Sequence, residues 1–246
     1  MKWASHIAIG KVIADALELS PGERKAFLDG IVEPDRHKER GNRDGRSYRL
    51  SHHDPSDRVI MLHVWMARRS MLRNDTYQGY RHLGMALHYI QDKSTSKGFL
   101  GLTHERREEK LAKVEPSRDE VMKGLKEHAS SSEFVRRSLS EIKPLKDPKR
   151  IMAQASYRSA SVAAAVIDMD GQTHVKKDYA RARRKHALAT VPLIIGSLAI
   201  GASISILWSS PYPMVPAAVL ALIAVLLDRP YRQLRRLAEW NGLGKH

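Results

Sequence analysis

An all-α chain, a multi-helix bundle closed by a C-terminal transmembrane helical hairpin, is the fold that three features of this sequence predict. Apolar residues recur at helical spacing through most of the first 170 positions. No run alternates β-branched with polar residues as a sheet would require. Residues 187 to 227 contain no Lys, Arg, Asp or Glu, whereas the preceding chain is strongly charged.

The elements follow in order. Residues 4 to 19 form an amphipathic helix interrupted by His6, Lys11 and Asp15, which lacks the continuous apolar stretch of a secretory signal. A second helix, 22 to 29, starts at Ser20 and Pro21, since proline suits a first helical turn. Residues 30 to 56, with Gly30, Pro34, Gly41, Gly45 and Pro55, read as a long loop. Loops of that length inside a compact domain are usually functional, and this one holds Asp35, His52, His53 and Asp54. Helices at 57 to 73 and 75 to 92 follow, with Asp54 and Asp75 as candidate caps. Further helices are expected at 105 to 127, 131 to 142 and 148 to 167.

From 187 to 208 the chain is apolar for 22 residues, enough at about 1.5 Å per residue to cross a hydrocarbon core of about 30 Å. After the turn SSPYP, residues 214 to 227 reach only about 21 Å as a helix, so a second span borrows from the prolines before it or thins the bilayer. The expected organisation is a helical domain at 1–170, a basic juxtamembrane linker at 171–186, a two-helix transmembrane hairpin at 187–227 and a basic cytoplasmic tail at 228–246. The linker and the tail carry eleven basic residues against three acidic, about half of the net charge of +15. With Arg at both ends of the hairpin and no charge in its turn, the positive-inside rule places both ends, and the domain before them, in the cytoplasm of a multi-pass cell-membrane protein. The same basic flanks suit anionic lipid headgroups at roughly 1 kcal/mol per residue. Their position against the hairpin favours lipid over nucleic acid.

The absence of Cys excludes disulfides and thiolate metal sites, so a metal must be held by His, Asp, Glu or backbone. No Ser, His, Asp triad pattern and no GxxxxGK[ST] phosphate loop occurs. What the chain does have is LGMALHYIQD at 83 to 92, which puts His88 and Asp92 four residues apart on an apolar helix, where both reach one cation. A buried ionised pair there is costly unless a metal compensates it. His104 and Glu108 repeat the spacing, although a solvated surface helix also accounts for HERREEK. His37, His63, His82, His128, His174, His186 and His246 are read as structural or surface residues.

Taken together, SHIAIGKVIADAL, DGIVEPD, SHHDP, LGMALHYIQD and HERRE, in that order, resemble the zinc-dependent phospholipase C family, which is related to the S1/P1 nucleases, over about residues 3 to 110. The resemblance implies a bundle holding two or three zinc ions. His6 would bind one ion, and Asp35 would bind metal or orient the attacking water as the catalytic carboxylate. His52, or His53 in its place, would bind another ion with His88, Asp92 would bridge two, and His104 with Glu108 would bind the remaining one. Gly98 stands where the family usually has a further His. Trp3, internal to this chain, stands where the family has a metal-chelating N-terminal Trp and is read here as a packing residue. The expected function is hydrolysis of membrane phospholipids by metal-activated water, with the site facing the cytoplasmic leaflet. The alternatives are an S1/P1-type nuclease or nucleotidase, and a non-catalytic membrane-anchored relative with an incomplete metal site.

Overall fold

The computed structural model describes residues 1–36, 40–43, 46–49, 56–95, 104–169 and 172–243, with side chains for all but 40–43, 46–49, 104–107 and 172–173. The chain divides into two compact units, Met1–Asp168 and Met169–His246. Both are helical, with one short strand pair among the described residues.

The first unit contains α1 (Trp3–Ala16), α2 (Pro21–Arg36), β1 (Arg40–Arg43), β2 (Arg46–Arg49), α3 (Asp57–Leu72), α4 (Thr76–Lys93), α5 (His104–Leu111), α6 (Arg118–Lys126), α7 (Ser132–Ser140) and α8 (Pro148–Ile167). Polar side chains set the helix starts. Glu23 accepts from the backbone N–H and hydroxyl of Ser20 at 2.9 and 2.7 Å, closing the first turn of α2. Ser56 caps α3 and Asp75 caps α4, each accepting an otherwise orphaned N–H. The element at the centre is α4, which packs on α2, α3 and α8. It buries Leu83, Leu87 and Ile90 completely, as α2 does Phe27 and Ile31 and α3 does Ile60 and Val64.

Three expectations are corrected here. The second helix does not stop at residue 29: α2 runs on through Gly30 and Pro34 to Arg36, so Asp35 lies in a helical turn and not in a loop. Gly30 is used for contact, since a Cβ there would lie 2.0 Å from the carbonyl oxygen of Arg81, and one on Gly84 would lie 2.2 Å from that of Phe27. Two glycines facing each other let the backbones of α2 and α4 approach more closely than any side chain allows. Beyond α2, the segment expected to be only loop contains the antiparallel pair β1 and β2, in register Arg40 to Arg49 through Arg43 to Arg46. The single helix expected at 105 to 127 is two, α5 and α6, because Pro116 lacks the N–H that would continue it and Ser117 starts a new cap by accepting from Glu120.

The second unit contains α9 (Gln172–Lys185), a π-helical turn at His186–Thr190, α10 (Val191–Leu207), α11 (Met214–Leu227) and α12 (Arg229–Trp240). The stretches expected to be a basic linker and a basic tail are therefore largely helical. The run His174–Leu207, 34 residues, is long and apolar enough to cross a membrane. Residues α11 and α12 meet at a bend of 46°, where Pro230 cannot donate to the preceding turn. Small residues join α10 to α11: Ala217, Ala221 and Ala224 are buried at helical spacing, and a Cβ on Gly201 would lie 2.5 Å from that of Ala217. Leu193, Ile195, Ile200, Ile206, Leu222 and Leu226 are exposed.

Candidate metal centre

The close crossing of α2 and α4 places the end of α2 beside the middle of α4, and α1 adds His6 to the same point. His6 and His88 are fully buried, with their rings stacked at 4.2 Å between centroids. Each ring is fixed through Nδ1. His6 Nδ1 donates to Gln91 Oε1 at 2.7 Å, and His88 Nδ1 donates to the Ile31 carbonyl at 2.8 Å. With Nδ1 donating, the neutral form of each ring carries its lone pair on Nε2, and both Nε2 atoms are buried without a hydrogen bond. A metal-ligating imidazole is oriented in the same way, by an acceptor that holds its other ring nitrogen.

Asp92 is where the two rings converge. His6 Nε2 lies 3.3 Å from its Oδ1, and His88 Nε2 lies 3.3 Å from its Oδ2, so each carboxylate oxygen faces a different imidazole. Asp35 Oδ1, partly exposed, is 3.7 Å from His88 Nε2. One ligand atom from each of His6, Asp35 and His88 lies within 4.8 Å of the others, so this group can hold a metal ion. Two neutral nitrogens with carboxylate oxygens suit a borderline divalent ion.

The electrostatics agree with this geometry. Burial, reinforced by His88, pushes His6 below the ordinary imidazole pKa, which favours the neutral ligand form. Burial alone would raise the Asp92 carboxyl, but His6, His88 and the N-terminal ammonium outweigh it and hold it well below the usual carboxylate range. That ammonium, on Met1, contacts Asp92 directly and lies 3.5 Å from Glu108. Burial alone would lower its pKa, but Asp92 and Glu108 outweigh burial and the value is raised.

Of the residues expected at the site, His6, Asp35, His88 and Asp92 come together, and Glu108 joins them across the Met1 ammonium. His104 opens α5, but its side chain lies outside the described residues, as do His52, His53 and Gly98 altogether. Trp3 is half-exposed beneath the Arg36 guanidinium, 5.0 Å from the ring centre. Gln91, fully buried and aimed at His6, was not singled out from sequence. Its position three residues after His88 puts it on the buried side of α4, and an amide there is the signal that marks it.

Compared with protein-family models, with curated proteins and with solved structures, the chain matches none.

Proposed function

We propose that this chain is a zinc-dependent phosphodiester hydrolase of the phospholipase C type, tethered to the cell membrane by a helical hairpin with both ends in the cytoplasm. The observation that carries the reading is the pair of buried Nε2 atoms on His6 and His88, without hydrogen bonds and each facing a separate oxygen of Asp92. A carboxylate placed in this way would help hold metal beside both imidazoles, and the sequence resemblance suggests the reaction. Zinc held there provides Lewis acidity toward a phosphodiester and acidifies water at neutral pH.

The protein's own groups divide the work. Gln91 and the Ile31 carbonyl hold the two imidazoles in the tautomer that presents Nε2. Asp92 supplies negative charge in a buried setting. Asp35, the more exposed carboxylate, orients the attacking water and accepts its proton at Oδ1. The water oxygen would join phosphorus as the bond to the lipid alkoxide breaks; the phosphate stays on the headgroup, and the alkoxide leaves as the alcohol with the proton that Asp35 took from the water.

Membrane anchorage rests on the apolar C-terminal part of the helix His174–Leu207, the packing of α10 on α11, and the arginines flanking both ends of the pair. Because the chain has no Cys, topology can be read without background. Ser210→Cys at the turn is expected to react with an impermeant thiol reagent added outside cells, and Asp178→Cys only after lysis. For activity, the purified full chain is loaded with zinc and offered phospholipid vesicles, a soluble phosphodiester and single-stranded DNA. Two or three zinc ions per chain and release of diacylglycerol, both lost in His88→Ala, are expected. DNA cleavage without lipid cleavage would replace the lipase reading with the nuclease one. A zinc-free, inactive protein would leave a scaffold.

A further inference from the structure

We propose that the second unit holds a specific binding site for an amine-bearing glycerophospholipid headgroup, of the phosphoethanolamine type, between the π-helical turn before α10 and the bend between α11 and α12. The proposal rests on the membrane-anchored reading of the hairpin and is independent of any hydrolytic activity.

A cavity of about 270 Å³ lies there, with Lys185, His186, Thr190, Asp228 and Tyr231 at its polar end and Leu193 among its apolar walls. Two backbone irregularities form it from opposite sides. On one, a helix otherwise continuous from His174 to Leu207 widens into a π-turn at His186–Thr190. On the other, α11 ends at Leu227, and Pro230 forces the 46° bend into α12. A π-turn inside an α-helix gives up regular geometry and is found disproportionately at functional sites. Two such breaks facing one cavity, where the charged sequence gives way to the uncharged one, mark a place built for a ligand with a polar and an apolar end.

The polar groups define the ligand. From Tyr179 to Ala238, Asp228 is the sole acidic residue, among many Lys and Arg. It is largely buried and held in place: its Oδ2 lies 2.7 Å from His186 Nδ1, and its Oδ1 accepts a long bond of 3.4 Å from Thr190 Oγ1. His186 is itself braced, its ring stacked on Tyr231 at 4.1 Å and Tyr231 stacked on Tyr179. An acidic group largely buried at the end of an uncharged helical hairpin is a functional candidate. Oδ1, with one long contact, has lone-pair capacity left for a donor. Lys185 on the same wall offers an ammonium to a phosphate. A ligand with a phosphate and, a few atoms away, a group that donates hydrogen bonds to a carboxylate satisfies both charges. Its glyceryl and acyl portion continues past Leu193 along the apolar helices. A trimethylated ammonium carries the same charge but no donor, so it loses the bond to Asp228.

The test uses the delipidated full chain in detergent micelles, with bound lipid counted by native mass spectrometry. Ethanolamine-headgroup, choline-headgroup and glycerol-headgroup phospholipids of identical acyl chains are titrated separately, as is soluble phosphoethanolamine. One tightly retained ethanolamine lipid per chain is expected, with about tenfold preference over the choline lipid. Asp228→Asn and Thr190→Val should abolish that preference, and Lys185→Gln should weaken both lipids alike. The wild-type comparison of the two headgroups needs no variant, so a misfolded mutant does not blunt it. Equal retention of all three lipids overturns the proposal. Soluble phosphoethanolamine binding as tightly as the lipid overturns the lipid assignment. Failure of the chain to float with vesicles overturns membrane anchorage and the proposal with it, and that outcome is separately visible.

Discussion

Adding one methyl group at Gly84 is the sharpest perturbation of the site that leaves every candidate ligand in place. A Cβ at this position would lie 2.2 Å from the Phe27 carbonyl oxygen and 2.7 Å from the Ile31 nitrogen. Both are backbone atoms of α2, so no rotamer change relieves the clash, and α2 must retreat by roughly an ångström to restore ordinary contact. Overpacking of this kind costs about 1–3 kcal/mol, against which alanine returns up to about 1 kcal/mol of helix propensity. The retreat also carries the Ile31 carbonyl away from His88 Nδ1 and Asp35 away from His88 Nε2. Gly84→Ala is therefore expected to lower stability by about 1–2 kcal/mol and zinc affinity by about 10–100-fold, the usual cost of losing a second-shell partner. The control is Gly22→Ala, where a Cβ meets nothing within 4 Å: zinc affinity should stay unchanged and stability should hold or rise slightly. Urea unfolding and zinc titration of the full chain in detergent measure the two effects. A Gly84→Ala protein that binds zinc like wild type would refute the claim that this crossing positions the site.

Acidification should weaken the metal-free protein in two steps. His6 is held below its ordinary value, so as pH falls through about 6.5 the unfolded chain takes up a proton that the folded chain refuses, and stability declines until the folded value is reached. Asp92 is held below its unfolded value, so its contribution is complete above about pH 4 and is lost as pH falls through the folded pKa. Urea midpoints that stay flat between about pH 7 and 5 would contradict the first step, which His6→Gln should remove. Arg68, fully buried on α3, donates to the carbonyls of Val166 and Asp168 at the end of α8 at 2.8 and 2.6 Å. Its replacement by Met should cost about 2–4 kcal/mol in urea unfolding without changing zinc stoichiometry. Gly201→Val should loosen α10 from α11 and lower the thermal midpoint in detergent, whereas Gly196→Val, with open space around a Cβ, should not.

How much of this was legible in sequence differs by element. The α4 helix was readable end to end, because its apolar spacing is regular and Asp75 caps it, and so was the four-residue partnership of His88 with Asp92. His6 is reachable only through the family resemblance, and Asp35 through that and its place in a long Gly- and Pro-rich segment, since no local pattern says that α1 and the end of α2 meet α4. The end of α2 was misread because Gly30 and Pro34 are breakers by local propensity. Burial of Ile31 and Val32 against α4 outweighs that propensity, and the glycine serves the contact. Pro116 was the reverse case, a visible breaker passed over inside a charged run. In the second unit the apolar block was plain, but His186 and Asp228 lie 42 residues apart in sequence, and nothing local pairs them.

The candidate ligands on α4 and the packing that holds them share one line along that helix. Gly84, His88 and Asp92 succeed one another at four-residue steps: the first admits the α2 backbone, the second donates to it at Ile31, and the third collects both imidazoles. Gln91 lies beside that line, and its role separates positioning from stability. Its Oε1 accepts from His6, but its buried Nε2 has no hydrogen-bond partner. Gln91→Leu thus removes an unsatisfied amide while costing His6 its acceptor, and these two effects on the metal-free fold oppose each other at about 1 kcal/mol each. Zinc affinity has no such compensation, because an unfixed His6 ring distributes its proton between both nitrogens. The expected outcome is a urea midpoint close to wild type with affinity reduced about 10–100-fold, and recovery in Gln91→Glu, whose carboxylate again accepts from Nδ1. A residue that merely filled space would move stability and leave affinity alone, and that result would remove Gln91 from the site.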